Sequence, residues 1–143
     1  MSTPVTVLLV EDHELLRKVL RRSLDDDPDV SVVGEAGDGV EAVRLTSQLE
    51  PQVVVMDLDM PLMDGLTATE NILAAQPGTA VVMLSMSCKP SSMRAALAAG
   101  ARAYIVKNAN LDLAAVVKDV ASGEVGTTTP MLAVGNTAQR VSP

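Results

Sequence analysis

The fold of this chain is best predicted from one stretch, Val53-Val54-Val55-Met56-Asp57-Leu58-Asp59-Met60-Pro61-Leu62-Met63-Asp64-Gly65. Its first four residues are apolar without alternation, a pattern typical of a strand buried on both faces of a parallel sheet. The strand is predicted to end at Asp57, at the edge where open α/β sheets bind their ligands. Pro61 and Gly65 then indicate a loop before the next helix, which leaves the Asp57 carboxylate open to a substrate.

Apolar runs elsewhere in the chain predict four more strands, at residues 5–10, 30–36, 80–84 and 103–106. A stretch with apolar residues at helical spacing follows every strand; after the first strand these residues are Leu16, Val19, Leu20 and Leu24. Five strands that alternate with five helices predict an α/β fold, a doubly wound parallel sheet with helices on both sides and right-handed crossovers. From Glu124 to Pro143 the chain is rich in Gly, Thr, Ser and Pro and has little periodicity, which indicates a linker or tail.

Composition narrows the classes of function. A chain of 143 residues is predicted to form one domain, and its net charge of -7 without a Lys/Arg cluster disfavours direct nucleic-acid binding. A single cysteine, Cys88, excludes an internal disulfide framework. The apolar N-terminus is too short for a signal peptide or a membrane span, so we expect a cytoplasmic protein that does not enter membranes.

Polar residues follow four of the five predicted strands. Glu11 and Asp12 end the first strand, Asp57 the third, Ser85 the fourth and Lys107 the fifth. Because the carboxyl ends of parallel strands meet at one edge of a doubly wound sheet, these side chains are expected to converge on one pocket. The second strand contributes nothing comparable.

The chemistry of this set points to phosphoryl transfer. Carboxylates about 4 Å apart repel each other by about 4 kcal/mol per pair at an effective dielectric constant near 20, so positive charge must compensate them. Lys107 supplies one charge, and the oxygen ligands suit Mg²⁺. A carboxylate beside Mg²⁺, here Asp57, can attack a phosphoryl group, with Lys107 and Ser85 stabilising the transferred oxygens.

Four motifs in this order resemble the receiver domain of two-component response regulators. They are Leu8-Leu9-Val10-Glu11-Asp12, Val55-Met56-Asp57-Leu58-Asp59-Met60-Pro61 with Gly65, Leu84-Ser85 and Tyr104-Ile105-Val106-Lys107. The resemblance covers residues 5 to about 122 and implies a flavodoxin-like sheet with strand order 2-1-3-4-5. It assigns residues 1–122 to a receiver domain and residues 123–143 to a linker or C-terminal tail, with the effector domain absent.

The resemblance also implies roles for the acidic residues. Asp57 matches the phosphorylation site, which accepts a phosphoryl group from the phosphohistidine of a sensor histidine kinase. Asp12 matches a direct Mg²⁺ ligand, and Glu11 matches an acidic neighbour that acts through water. Asp59 matches the position whose backbone carbonyl coordinates the metal, so the implied metal set is Glu11, Asp12, Asp57 and Asp59.

Three further positions complete the implied switch. Ser85 matches the hydroxyl residue that turns toward the phosphoryl group, Tyr104 the aromatic residue that follows it, and Lys107 the phosphate partner. The fourth helix, fifth strand and fifth helix then form the signalling surface. Tyr104 as a simple core residue is the alternative, because an amphipathic ring packs well at a sheet edge.

Residues 30–36, with Asp38-Gly39 and Glu41-Ala42-Val43 after them, are similar to the NarL/FixJ class, whose members carry a LuxR-type helix-turn-helix after a linker. The resemblance implies that DNA is contacted only through such an effector and not by this chain. It also implies that two copies of the chain can form a homodimer, since activated receivers often dimerise. The sequence departs from the class because it ends at Pro143, as an excised or stand-alone receiver does. Asn108 replaces the proline of many receivers, and the isomer of the Lys107–Asn108 peptide stays open.

Two other classes compete with this interpretation. The strand-Asp-x-Asp pattern at residues 54–59 also fits haloacid-dehalogenase-like phosphatases, with Asp57 as the nucleophile and Asp59 as a general acid. Those enzymes place the nucleophile on an early strand and an acidic pair after the lysine, whereas here Glu11 and Asp12 precede Asp57. A flavodoxin-like cofactor binder lacks support, because the chain has neither a phosphate-binding glycine loop nor aromatic residues to sandwich a flavin. We therefore expect a signalling switch that catalyses only its own phosphorylation and dephosphorylation.

Overall fold

The computed structural model describes residues 3–60, 62–107 and 112–123, together with the backbone of two short strands at 131–134 and 137–140. Pro61, which was predicted to break the chain after the central strand, lies outside these residues. The Lys107–Asn108 peptide lies outside them as well.

A central parallel sheet carries the fold. Its strands are β1 (Val5–Val10), β2 (Val30–Ala36), β3 (Val53–Asp57), β4 (Ala80–Ser85) and β5 (Ala103–Val106), in the spatial order β2-β1-β3-β4-β5. The helices are α1 (Glu14–Asp25), α2 (Gly39–Leu49), α3 (Gly65–Ala75), α4 (Pro90–Ala98) and α5 (Leu113–Ser122). The predicted doubly wound sheet, its strand order and its five helices are confirmed.

The β3 strand separates two hydrophobic cores because successive side chains point to opposite faces. Val53 and Val55 pack with α1 and α5, whereas Val54 and Met56 pack with α2, α3 and α4. All four side chains have no exposed surface. The unbroken apolar run of β3 is therefore the signature of helices on both sides.

The loop after β3 returns close to the strand. Gly65 begins α3, and a Cβ atom at this position would lie 2.3 Å from the carbonyl oxygen of Asp57. Its N–H donates to the Leu58 carbonyl at 3.0 Å, and Asp64 caps the helix by accepting from the N–H of Thr67. Only glycine fits at this contact, which holds the backbone of the Asp57 loop against α3.

Two short strands extend the sheet within the stretch that was predicted to be a linker or tail. Met131–Val134 (β6) pairs in parallel with β5, and Thr137–Arg140 (β7) pairs antiparallel with β6. The sheet of the described residues thus has seven strands instead of the five predicted from periodicity. Residues 131–134 form a four-residue apolar run like that of β5, but the Gly, Thr, Ser and Pro around it favoured a tail in the sequence analysis. The boundary at residue 122 stays a prediction.

A chain that ends at Gly123 is expected to keep the cooperative unfolding of the full sequence. Among the side chains that the structure describes, neither core extends beyond Ala121, and an added two-stranded hairpin contributes little stability. We expect the free energy of unfolding to fall by no more than about 2 kcal/mol in urea denaturation. A non-cooperative transition in the shortened chain would place residues 123–143 inside the domain.

Helices capable of crossing a membrane are not found among the residues that the structure describes.

Candidate functional site

The carboxyl edge of the sheet brings together three of the predicted acidic residues. Carboxylate oxygens of Glu11, Asp12 and Asp57 lie within 4.8 Å of one another. Glu11 and Asp57 are 1% and 2% exposed, whereas Asp12 faces solvent. The pairing of β1 with β3, which sets Val10 beside Met56, explains why residues 46 positions apart in sequence meet here.

Lys107 bridges the two buried carboxylates. Its Nζ donates to Asp57 Oδ1 at 3.0 Å and lies 2.9 Å from Glu11 Oε1. The contact with Glu11 is an ion pair without hydrogen-bond alignment, so the buried Oε1 atom has no aligned donor. The backbone N–H of Lys107 donates to the Ser85 carbonyl at 2.8 Å, which fixes the lysine at the end of β5 next to β4.

The protonation of the site follows from burial and charge. Burial, followed by the nearby Glu11 carboxyl group, raises the pKa of Asp57 to about 7, although Lys107 opposes this rise. Burial alone would lower the pKa of Lys107, but its two carboxylate partners raise it. One lysine therefore does not fully compensate the acidic residues, and the site has a deficit of positive charge.

The raised pKa of Asp57 predicts a pH-dependent stability in the absence of divalent cations. Because the folded protein holds this proton up to about pH 7 while an unfolded aspartate releases it near 3.8, stability falls as pH rises through this window. Asp57→Asn lacks this loss and should become more stable than the native sequence by up to about 4 kcal/mol at pH 8, with no difference near pH 3.5. Urea denaturation of both proteins with EDTA measures the difference; a difference that does not vary with pH would contradict the prediction.

The residues of the site fit a hard divalent cation. They offer only oxygen atoms, and the Glu11 Oε1 atom has no aligned donor. A pocket with excess negative charge that opens to solvent at Asp12 suits Mg²⁺, which keeps several water ligands. Glu11, Asp12 and Asp57 are the side chains that could hold the ion. Asp59 follows the β3 strand, and its N–H donates to Asp57 Oδ1 at 3.3 Å.

Ser85 and Tyr104 meet at one residue of the loop after β4. Ser85 is fully buried, and its Oγ accepts from the N–H of Ser87 at 3.0 Å. The Tyr104 hydroxyl donates to the Ser87 carbonyl at 2.6 Å, and its ring is 1% exposed. Ser85 and Tyr104, the two residues predicted to form the switch, are therefore hydrogen-bonded to the N–H and to the carbonyl of the same loop residue, Ser87. Tyr104 also packs in the core, so both interpretations of this ring have structural support.

Sequence analysis missed an ionic cluster at the root of the acidic pair. Arg17 of α1 donates to the Glu11 carbonyl oxygen at 2.7 Å and to Glu35 Oε1 of β2 at 3.2 Å. The second strand was predicted to contribute nothing to the site, yet it supplies this glutamate. No local spacing in the sequence relates Arg17 to a residue 18 positions away.

The fold and the site together define a class of protein. Its members have a doubly wound α/β domain with an acidic pocket at the carboxyl edge of the sheet, and a lysine bridges the carboxylates of this pocket. The sequence model of one protein family, the response regulator receiver domain, matches residues 7–118 of this chain. The chain belongs to the response regulator receiver domain family. This membership decides between the two interpretations of the strand-Asp-x-Asp pattern in favour of the receiver domain.

Individual relatives agree with this family. The transcriptional regulatory protein LiaR of Bacillus subtilis is 36% identical over 121 residues, which are 84% of this chain and 57% of LiaR. A protein-glutamate methylesterase/protein-glutamine glutaminase of Myxococcus xanthus is 43% identical over 107 residues, 74% of this chain and 30% of that protein. The signal receiver domain of NarL from Mycobacterium tuberculosis superposes with a TM-score of 0.81 at 31% identity, over 85% of this chain and 99% of that one. The predicted likeness to NarL-type regulators is confirmed, and the chain spans little more than half the length of LiaR.

Proposed function

We propose that this chain is a phosphorylation-controlled switch of a two-component system, with Asp57 as the phosphoacceptor. The observation that carries the proposal is the convergence of Glu11, Asp12 and Asp57 around Lys107 at the carboxyl edge of the sheet. Family membership supports it, since a receiver domain is the partner expected for a sensor histidine kinase.

The acceptor chemistry uses the Asp57 carboxylate as a nucleophile. Its oxygen forms a bond to phosphorus while the phosphorus–nitrogen bond of a phosphohistidine breaks, and the leaving imidazole nitrogen takes up a proton from solvent. The Lys107 ammonium, 3.0 Å from Asp57 Oδ1, stabilises charge on the transferred oxygens. Mg²⁺ bound by the acidic residues would supply the additional positive charge that the site needs.

The readout of the switch is assigned to Ser85 and Tyr104. In the structure the Ser85 hydroxyl accepts from Ser87, and in the phosphorylated state we expect it to donate to a phosphoryl oxygen instead. This change would disturb the Ser87 peptide, to which Tyr104 is bound. This loop leads into α4 and is bound by Tyr104 of β5, and the surface of α4, β5 and α5 would carry the signal to a partner, including a second copy of the chain.

Transcriptional output is the downstream function that the relatives favour. LiaR is named as a transcriptional regulator, and a DNA-binding effector outside residues 1–143 would supply DNA contacts that an acidic domain of charge -7 does not make. We place the protein in the cytoplasm, where a sensor histidine kinase exposes its phosphohistidine. The methylesterase relative marks enzymatic output as the second candidate, with the receiver as its control domain.

The test is transfer of labelled phosphoryl groups from a phosphorylated histidine kinase or a small acyl phosphate. We expect incorporation of one phosphoryl group per chain, dependent on Mg²⁺ and released by hydroxylamine as an acyl phosphate is. Many turnovers of a phosphate ester such as p-nitrophenyl phosphate, without stoichiometric incorporation, would instead support the haloacid-dehalogenase-like phosphatase. Absence of any incorporation from either donor would refute the proposal.

A further inference from the structure

The guanidinium of Arg17 is hydrogen-bonded to the peptide that links Glu11 and Asp12, the two acidic residues that follow β1. Its Nη1 donates to the Glu11 carbonyl oxygen at 2.7 Å, the shortest of the described hydrogen bonds that reach this pair. The Arg17 side chain is 22% exposed, so this bond is largely shielded from water. A charged donor to a carbonyl oxygen is stronger than a neutral donor, and the bond therefore constrains this peptide.

The constrained peptide limits the directions in which Asp12 can point. Because a peptide unit is planar, fixing the Glu11 carbonyl also fixes the direction of the Asp12 N–H and Cα. The Glu11 N–H is already bound to the Ala36 carbonyl of β2 at 3.0 Å. Asp12 itself is exposed and lies beyond the end of the strand, between this peptide and the His13 N–H, which donates to Glu11 Oε2 at 3.2 Å.

Glu35 holds Arg17 in this position. Its Oε1 accepts from Arg17 Nε at 3.2 Å, and its Oε2 accepts from Arg21 Nη1 at 2.8 Å. Arg21 in turn pairs with Asp25 one helical turn away. The Glu35 carboxylate therefore binds two arginines of α1. Of these two, only Arg17 also donates a described hydrogen bond to the acidic pair.

We propose that Arg17 is a positioning residue for the cation site, which orients Asp12 through the Glu11–Asp12 peptide with Glu35 as its support. This inference rests on the proposed function, since it assumes that Asp12 binds Mg²⁺. Preorganised ligands bind more tightly because less conformational entropy is lost on binding. The second strand, which ends away from the phosphoacceptor, thus contributes to the site through an arginine of the neighbouring helix.

The direction of the effect separates this role from simple electrostatics. Removing a positive charge near a cation site should strengthen Mg²⁺ binding if Arg17 acts by charge alone. Loss of a positioning contact should weaken it instead. We expect Arg17→Met to bind Mg²⁺ about tenfold more weakly in isothermal titration calorimetry. Its phosphorylation by an acyl phosphate should return to the native rate at saturating Mg²⁺.

Matched variants isolate the contact. Arg21→Met removes a similar side chain that pairs with Glu35 but is not hydrogen-bonded to Glu11, and it should stay within about twofold of the native affinity. Glu35→Gln keeps the shape of the Glu35 side chain but removes its charge. We expect its loss of Mg²⁺ affinity to lie between the losses of the two arginine variants. In the absence of Mg²⁺, the amide NMR signals of Asp12 and His13 should shift in Arg17→Met and not in Arg21→Met.

The outcomes distinguish the inference from the proposed function. If the native protein binds no Mg²⁺, the proposed function fails. If the native protein binds Mg²⁺ and Arg17→Met binds it equally or more tightly, only the role of Arg17 is overturned. Should Arg17→Met not fold, Glu35→Gln alone decides the question: an unchanged affinity in this variant overturns the role, and a weakened one supports it.

Discussion

Replacing Asp57 with asparagine should abolish phosphoryl uptake from both a phosphorylated kinase and a small acyl phosphate. The amide has nearly the shape of the carboxylate but is a very poor nucleophile, so a loss of at least about 1000-fold is expected. The Asp57 side chain is nearly completely buried and lies at the centre of the acidic pocket. Among the described carboxylates, it alone accepts an aligned hydrogen bond from Lys107. Filter-bound label or electrophoretic separation of the phosphorylated form measures the uptake.

Asp59→Asn is the matched control for this experiment. Asp59 lies two positions further on, its side chain is exposed, and its predicted metal contact uses the backbone carbonyl, which the substitution retains. We expect this variant to keep most of the native uptake. Undiminished labelling of Asp57→Asn would exclude Asp57 as the acceptor, and loss of labelling in Asp59→Asn alone would move the chemistry to that side chain.

Lys107→Met should have the second largest effect. The methionine keeps the apolar stem but removes the cation that lies 3.0 Å from Asp57 and 2.9 Å from Glu11, both nearly fully buried. Loss of one charge that stabilises developing negative oxygens typically slows a reaction by about 100-fold or more, and we expect this reduction in the rate of phosphoryl uptake. The domain should remain folded at pH 5, where the raised pKa of Asp57 keeps this carboxyl group protonated, and lose stability toward pH 8.

Lys118→Met offers the same substitution away from the site. Lys118 pairs with Asp27 at 2.7 Å, between α5 and the end of α1, and is partly exposed. Its loss should change the uptake rate less than about twofold, since ion pairs at the surface contribute little. Equal rates for the native protein and Lys107→Met would remove the lysine from the proposed mechanism.

The strands and the position of the candidate site at the carboxyl edge of the sheet could be predicted from the sequence because their signals are local. Four apolar residues before Asp57 indicate a strand buried on both faces, and the direction of parallel strands carries Glu11, Asp57 and Lys107 to one edge without any knowledge of contacts. Strand order came from the family resemblance, since periodicity does not determine which strands are neighbours.

Other features depend on distances that periodicity does not encode. The Arg17–Glu35 pair links a helix to a strand at a separation of 18 residues, and nothing in the spacing of charged residues along α1 distinguishes Arg17 from Arg21 or Arg22. The strands β6 and β7 each have four residues and pair through backbone atoms, which are the same in every sequence. The raised pKa of Asp57 likewise required the degree of burial at the strand end.

Tyr104 gives the protein an intrinsic optical reporter. It is the single aromatic side chain in 143 residues, so near-ultraviolet fluorescence of the unlabelled chain comes from this one ring. The hydroxyl is bound to the Ser87 carbonyl between β4 and α4, and such hydrogen bonds affect the quantum yield of the phenol. Changes at this loop can therefore be followed in real time by emission spectroscopy, without an attached dye or an introduced tryptophan.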